Sequence, residues 1–204
     1  MSKKPIIVFE GVEGSGKSLH INNVVNHLQK INKKFIKIRE PGGNKNSEKI
    51  RKLILDNKST FNKNTDLLLY LSSRSENIDL IKKNIGKKII LIDRFIDSTI
   101  AYQHYGMGVD LKLIKFINNF LLKDIKINLT FLNLVNQFNM RKRLRMRKKL
   151  NRYDKFDNNF YKKVQNGFLN LAKLKPNKYI KINSNLEISH NKKIIINKIN
   201  SIIS

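Results

Sequence analysis

The chain has 204 residues and no cysteine, long enough for one buried core and without the means to form disulfides or thiolate metal sites. No run of about 18 uncharged apolar residues occurs, so no membrane span is expected. With 42 Lys and Arg against 15 Asp and Glu the net charge is +27, but the excess is mostly lysine scattered among isoleucine and asparagine. A+T-rich codons specify those three residues, so codon drift accounts for a diffuse charge without a nucleic-acid partner. The opening MSKKPIIVFEG has no separate apolar leader, which together with the missing cysteines gives a cytoplasmic expectation.

In chain order, a first strand at 5–9 runs straight into Gly11-Val12-Glu13-Gly14-Ser15-Gly16-Lys17-Ser18, and apolar residues at helical spacing follow over 17–31. Gly, four residues, then Gly-Lys-Ser, set between a strand and a helix, is the phosphate-loop pattern. Its glycines let successive N–H groups converge on an anion at a positive helix end. In this pattern Lys17 neutralises the β- and γ-phosphates and Ser18 binds Mg²⁺. The loop therefore reads as a site for ATP or a related triphosphate.

A second strand at 34–38 precedes Arg39-Glu40-Pro41-Gly42-Gly43, a tight corner from which Arg39 could fork onto a second phosphate. Helices are predicted at 46–56 and 65–84, then a strand at 88–92 that ends at Asp93-Arg94. Asp93 stands where a phosphate-loop enzyme places its second, metal-associated carboxylate, and Arg94 is placed for an anionic substrate group. Helices at 97–104 and 110–122, a strand at 127–134, helices at 136–148 and 156–173, a strand at 178–182 and a helix at 189–203 complete the chain. Such alternation predicts an α/β fold, with parallel strands and helices on both faces. Ligands of these folds lie beyond the carboxyl ends of the strands, where the three motifs should meet.

The stretch Asp93-Arg94-Phe95-Ile96-Asp97-Ser98-Thr99-Ile100-Ala101-Tyr102-Gln103 resembles the signature of the thymidylate kinase family. So do FEGVEGSGKS, REPGG and Leu69-Tyr70-Leu71-Ser72-Ser73-Arg74, collinear from about residue 5 to residue 173 and closest to the bacterial type. The resemblance implies a single domain over 1–204: a phosphate-loop three-layer sandwich with a five-stranded parallel sheet and a mobile lid at about 141–153. It implies transfer of a phosphoryl group from MgATP to dTMP by a homodimer, formed through helices such as 65–84 or 110–122. Glu13 is then near the acceptor sugar and the metal, and Tyr70 lies against thymine. Arg74 and Arg94 address the base and the acceptor phosphate, with Arg39 and Pro41 beside them. Thr99 and Gln103 flank the base, while Tyr102 stands where a ribose 2′-hydroxyl would clash.

The densest charge, Arg141 to Arg152, matches the lid. The phosphate loop carries no arginine, so the lid must supply the charge over the transferring group, which is worth about 10³-fold or more. Arg152 is the expected catalytic arginine, with Arg145 and Arg147 on ATP. Three positions depart from the family pattern: Met107 for an arginine, Asn151 for an aspartate, and Asn133 in the strand usually ending Tyr-Leu-Asp. Two alternatives compete. A kinase for another nucleoside monophosphate leaves Ser98 to Gln103 unexplained, and a nucleic-acid-dependent ATPase lacks a second basic cluster on a facing element.

Overall fold

The computed structural model describes residues 4–204, so the first three residues of the expected 1–204 domain lie outside the described residues. Five strands form one parallel sheet in the order β2–β3–β1–β4–β5. They are β1 (Ile6–Glu10), β2 (Phe35–Arg39), β3 (Ile89–Asp93), β4 (Leu129–Leu134) and β5 (Tyr179–Asn183). The three central strands are almost wholly buried, which is why they read as continuous apolar runs rather than alternating ones.

The helices are α1 (Lys17–Lys30), α2 (Lys45–Leu55), α3 (Lys63–Asn84), α4 (Ile96–Thr99), α5 (Leu111–Leu122), α6 (Gln137–Arg145), α7 (Asn158–Leu174) and α8 (Ile188–Ile203). One sheet face packs Ile7, Phe9, Leu91 and Phe131 against Ile21, Val24 and Leu28 of α1 and Ile195 and Ile199 of α8. The other packs Val8, Ile90 and Ile92 against Ile78 and Ile81 of α3 and Leu122 of α5. A further cluster joins α7 to the segment after α4 and to the base of the lid, through Tyr102, Leu144, Tyr153, Phe160 and Phe168.

Most predicted elements stand within two residues of the observed ones; two differ in kind. The helix expected over 97–104 becomes π-helical from Ile100 to Gly106, with Met107 N donating to Tyr102 O at 3.0 Å. The wider turn is one often found at functional sites, and here it carries Tyr102 and Gln103. The helix expected over 136–148 stops at Arg145, and the lid continues as a short 3₁₀ turn, Arg152–Lys155. Clustered like charges in the last turn explain the early stop, since Arg141, Arg143, Arg145 and Arg147 repel along any longer helix.

The register sets the site. Arg39 pairs with Asp93 and Asp93 with Phe9, so the carboxyl ends of β2, β3 and β1 finish side by side. The loop after each of these strands opens into the same cleft.

Candidate active site

The phosphate loop turns tightly at the carboxyl end of β1, the middle strand of the sheet. Gly11 has φ +138°, and a Cβ there would lie 2.3 Å from the Asn133 carbonyl oxygen. Gly14 has φ +68°, and its Cβ would come within 3.0 Å of Met140 O at the root of the lid. Only glycine fits both the dihedral and the approach. Lys17 opens α1 and curls over the loop, its Nζ donating to Gly11 O at 2.7 Å and Val12 O at 2.9 Å. Ser15 Oγ donates to Val12 O at 2.7 Å. Burial, reinforced by Arg94, pushes the Lys17 ammonium down to about 7, against the pull of Asp93, Glu13 and Glu10. A buried ammonium held so weakly gains most from an arriving polyanion.

Ser18 Oγ donates to Asp93 Oδ2 at 3.3 Å, bringing a hydroxyl and a carboxylate together at the mouth of the loop. Mg²⁺ takes hard oxygen ligands, commonly one or two from protein with the rest from phosphate and water. The pair fits that donor set. Among the described residues no cluster of three or more His, Cys, Asp or Glu side chains exists, so nothing here resembles a closed all-protein cage.

Across from the loop, Arg94 sits in the left-handed region at φ +66°, a strained position for a side-chain-bearing residue. Its guanidinium donates to Glu13 Oε1 at 2.7 Å and Ser98 Oγ at 3.3 Å and lies 5.1 Å over the Tyr102 ring. Tyr102 donates its hydroxyl to Glu13 Oε2. Burial works against the Glu13 carboxylate, but Arg94, Lys17 and Tyr102 together hold it below its ordinary range. Burial likewise opposes the charge on Arg94, and Glu13, Tyr102 and Asp93 outweigh it. Glu10, fully buried behind this layer, accepts from Phe95 N at 2.8 Å and from Ser98 Oγ at 2.5 Å, which fixes the turn carrying Arg94. Burial and the nearby Asp97 push its carboxyl up to about 7.

These side chains line one cleft of about 840 Å³, counting the solvent at its mouth. Of the expected site residues, Glu13, Lys17, Ser18, Arg39, Pro41, Tyr70, Asp93, Arg94, Tyr102, Gln103 and Arg147 line it. Gln103 lies beside Tyr153, its Oε1 buried without a hydrogen-bond partner and so available to a donor on a ligand.

Other expected residues are placed differently. Arg39 directs its fork at Glu48, with Nε–Oε1 3.0 Å and NH2–Oε2 2.9 Å, rather than at open space for a phosphate. Arg74 is buried behind the cleft wall, donating to Glu40 Oε2 at 2.7 Å, Asn118 Oδ1 at 2.6 Å and Thr99 Oγ1 at 3.0 Å. Thr99 is therefore its partner in that wall, itself buried. Arg145 lies apart, on a shallow groove of α6 with Phe138 and Met146. Arg152, expected over the phosphoryl group, instead pairs with Asp66 and donates to Ile54 O at 3.1 Å. The lid arginine that reaches the cleft is Arg147, held by Asp154 at 2.6 Å.

Several lining residues carried no motif signal. Arg51 donates to Pro41 O at 2.7 Å, and Tyr153 of the lid meets Tyr70 and Tyr102 edge to face. The unusual Asn151 finds its use in the lid turn. Its side chain accepts from Tyr153 N at 2.8 Å, and its amide donates to Asp154 Oδ2 at 2.6 Å, where an aspartate would repel.

Comparison with known proteins points to one family. The family model described as thymidylate kinase matches residues 9–195. A thymidylate kinase of Sulfurihydrogenibium sp. is 38% identical over 196 residues, 95% of each chain. One from Mycoplasma capricolum is 38% identical over 187 residues, covering 89% of this chain and 88% of the relative. The crystal structure of thymidylate kinase from Ehrlichia chaffeensis superposes with a TM-score of 0.78 at 30% identity, covering 97% of this chain and 99% of that one.

Proposed function

The chain belongs to the thymidylate kinase family and phosphorylates dTMP to dTDP with ATP, a step of dTTP synthesis; we propose that the cleft at the strand ends holds both nucleotides, ATP over Gly11–Ser18 and dTMP between Tyr70, Tyr102 and Gln103. The observation that carries this division is the Glu13–Arg94–Tyr102 cluster, which joins the phosphate loop to the turn after β3. Glu13 thus belongs to both ends of the cleft.

Lys17 leaves its loop carbonyls for the β- and γ-phosphates when ATP arrives and recovers full positive charge there. Ser18 and Asp93 would hold Mg²⁺, which when bound neutralises charge between the β- and γ-phosphates. Arg94, kept charged by Glu13, receives the acceptor phosphate. Tyr70 lies against the thymine ring, and the unpartnered Gln103 Oε1 accepts from the base. Arg74 and Thr99 act from behind, as the rigid wall on which Phe95 and the Glu40–Pro41 corner rest. Tyr102, fixed by Glu13, fills the space a 2′-hydroxyl would need.

The acceptor phosphate oxygen is already anionic, so no side-chain base is required. Positioning and charge stabilisation carry the reaction. The charge over the transferring group comes from the lid through Arg147.

The active unit is a homodimer joined through α3 and α5. Leu113, Phe116 and Phe120 recur along one face of α5, and together with Leu68 of α3 they leave an apolar surface exposed. Mg²⁺ as cofactor, ATP and dTMP as the ligands, and a cytoplasmic setting complete the reading; no described helix is long and apolar enough to cross a membrane.

Lys17→Met and Arg94→Met separate the two ends. The first should lower kcat about 10³-fold with little change in KM for dTMP, and the second should raise KM for dTMP about 10²-fold. The reverse pattern would exchange the donor and acceptor assignments.

A further inference from the structure

Asp66, in the first turn of α3, has no place in the family signature quoted above, yet it is almost fully buried and accepts three donors. Arg152 and the Tyr153 hydroxyl reach it from the lid, and Gln103 Nε2 reaches it at 3.4 Å from the cleft wall. Arg152 is held from several sides. Its Nε caps the Ile54 carbonyl at the end of α2, and its guanidinium lies 5.7 Å over Phe61 and 5.1 Å over Tyr153. The short turn Arg152–Lys155 is thereby docked onto the α2–α3 hairpin.

That turn also carries Asp154, whose side chain is buried and holds Arg147 at 2.6 Å. Two ion pairs therefore run in series, from Asp66 to Arg152 and from Asp154 to Arg147, with a four-residue turn between them. Only the last member lines the cleft with Glu13, Lys17 and Asp93. Without the first pair the lid turn loses its anchor on the α2–α3 hairpin, and Arg147 loses its fixed address.

We propose that Asp66 is a positioning residue of the phosphoryl-transfer step: by latching Arg152 and Tyr153 it seats the lid turn from which Arg147 reaches the transferring group. Arg152 is a latch, not the catalytic arginine. Gln103 touches the same carboxylate, so the base-binding wall and the lid meet at Asp66. The role of Arg147 in this scheme rests on the reading of the cleft given above.

The test compares Asp66→Asn, Arg152→Gln, their combination and Arg147→Gln in the full-length protein. Steady-state ADP release reads kcat and KM for dTMP, and limited trypsin digestion with mass mapping of residues 141–155 reads lid docking without nucleotide. Asp66→Asn and Arg152→Gln should each lower kcat about 10-fold to 10²-fold with KM for dTMP changed less than about 3-fold. Each should speed cleavage at the lid lysines and arginines common to all the variants, and the double variant should be no worse than the more affected single one. Arg147→Gln should lower kcat about 10³-fold with cleavage at the remaining lysines and arginines of the lid unchanged. Asp66→Glu should restore much of what Asp66→Asn loses. The proposal is overturned if lid cleavage stays at the wild-type rate in Asp66→Asn and Arg152→Gln. It is equally overturned if the two losses multiply, or if Arg152→Gln costs as much kcat as Arg147→Gln. Should Asp66→Asn fail to fold, Arg152→Gln, at a partly exposed position, carries the same comparison. The digestion needs no acceptor, so it decides the latch even where dTMP turnover fails.

Discussion

Replacing Arg74 with methionine removes the charge while keeping an unbranched side chain of similar reach. Arg74 and Glu40 have side-chain exposures of 2% and 4%, and the guanidinium makes three side-chain hydrogen bonds of 2.7, 2.6 and 3.0 Å. The substitution strands Glu40 as a buried, uncompensated charge and leaves Asn118 and Thr99 without their donor. Breaking a buried pair from one side costs about 3–5 kcal/mol, and the overlapping bonds do not add beyond that. Against a total stability of about 5–15 kcal/mol the loss is large. At about 2–4 °C per kcal/mol for a chain of this size it lowers the melting temperature by about 6–20 °C.

Burial already raises the Glu40 carboxyl above its ordinary value despite Arg74. Without Arg74 its folded pKa rises further above the unfolded one, so stability is lost as pH climbs from that unfolded value. The deficit of Arg74→Met should therefore be smaller at pH 5 than at pH 8, and adding Glu40→Gln should recover about 1–3 kcal/mol. Denaturant melts of wild type, Arg74→Met and the double variant at the two pH values measure this directly. A variant within about 1 kcal/mol of wild type, or one whose deficit ignores both pH and Glu40→Gln, would refute the buried-pair argument.

Glu10 has its carboxyl raised from 4.5 to about 7 in the folded protein. It should thus erode stability as pH rises through that window; Glu10→Gln should flatten this part of the stability–pH curve, and an unchanged slope would contradict the assignment. Phe116→Glu with Phe120→Glu places charge on the exposed face of α5; light scattering after size exclusion should report a dimer for wild type and a monomer for the variant, and a monomeric wild type would contradict the proposed assembly. Tyr102→Ala opens the space beside the sugar, so kcat/KM for the ribonucleotide relative to dTMP should rise about 10-fold or more; an unchanged ratio would place discrimination elsewhere.

What could be read from the sequence was local. Gly11 to Ser18 announces itself because the loop needs its glycines and lysine at fixed spacing. The central strands announce themselves because both faces are buried. The π-helical turn at Ile100–Gly106 was hidden, since its residues carry the same periodicity as an α-helix. Arg74 was placed by motif, but its burial was not legible because polar residues, Asp66, Ser73, Arg74 and Asn77, share the inner face of α3 with Leu67, Leu71, Ile78 and Ile81 and blur its apolar stripe. Asp66 and Arg152 lie 86 residues apart, and only the docking of the lid brings them together. The same holds for Arg51 and Tyr153, which became site residues through tertiary placement alone.

The most direct test of the account is steady-state ADP release from MgATP by the purified protein, with dTMP, dUMP, CMP, AMP and GMP each offered as acceptor. A kcat/KM for dTMP well above that for every other acceptor is the predicted result. Preference for any other nucleotide, or ATP hydrolysis stimulated by DNA or RNA with no acceptor present, would contradict it.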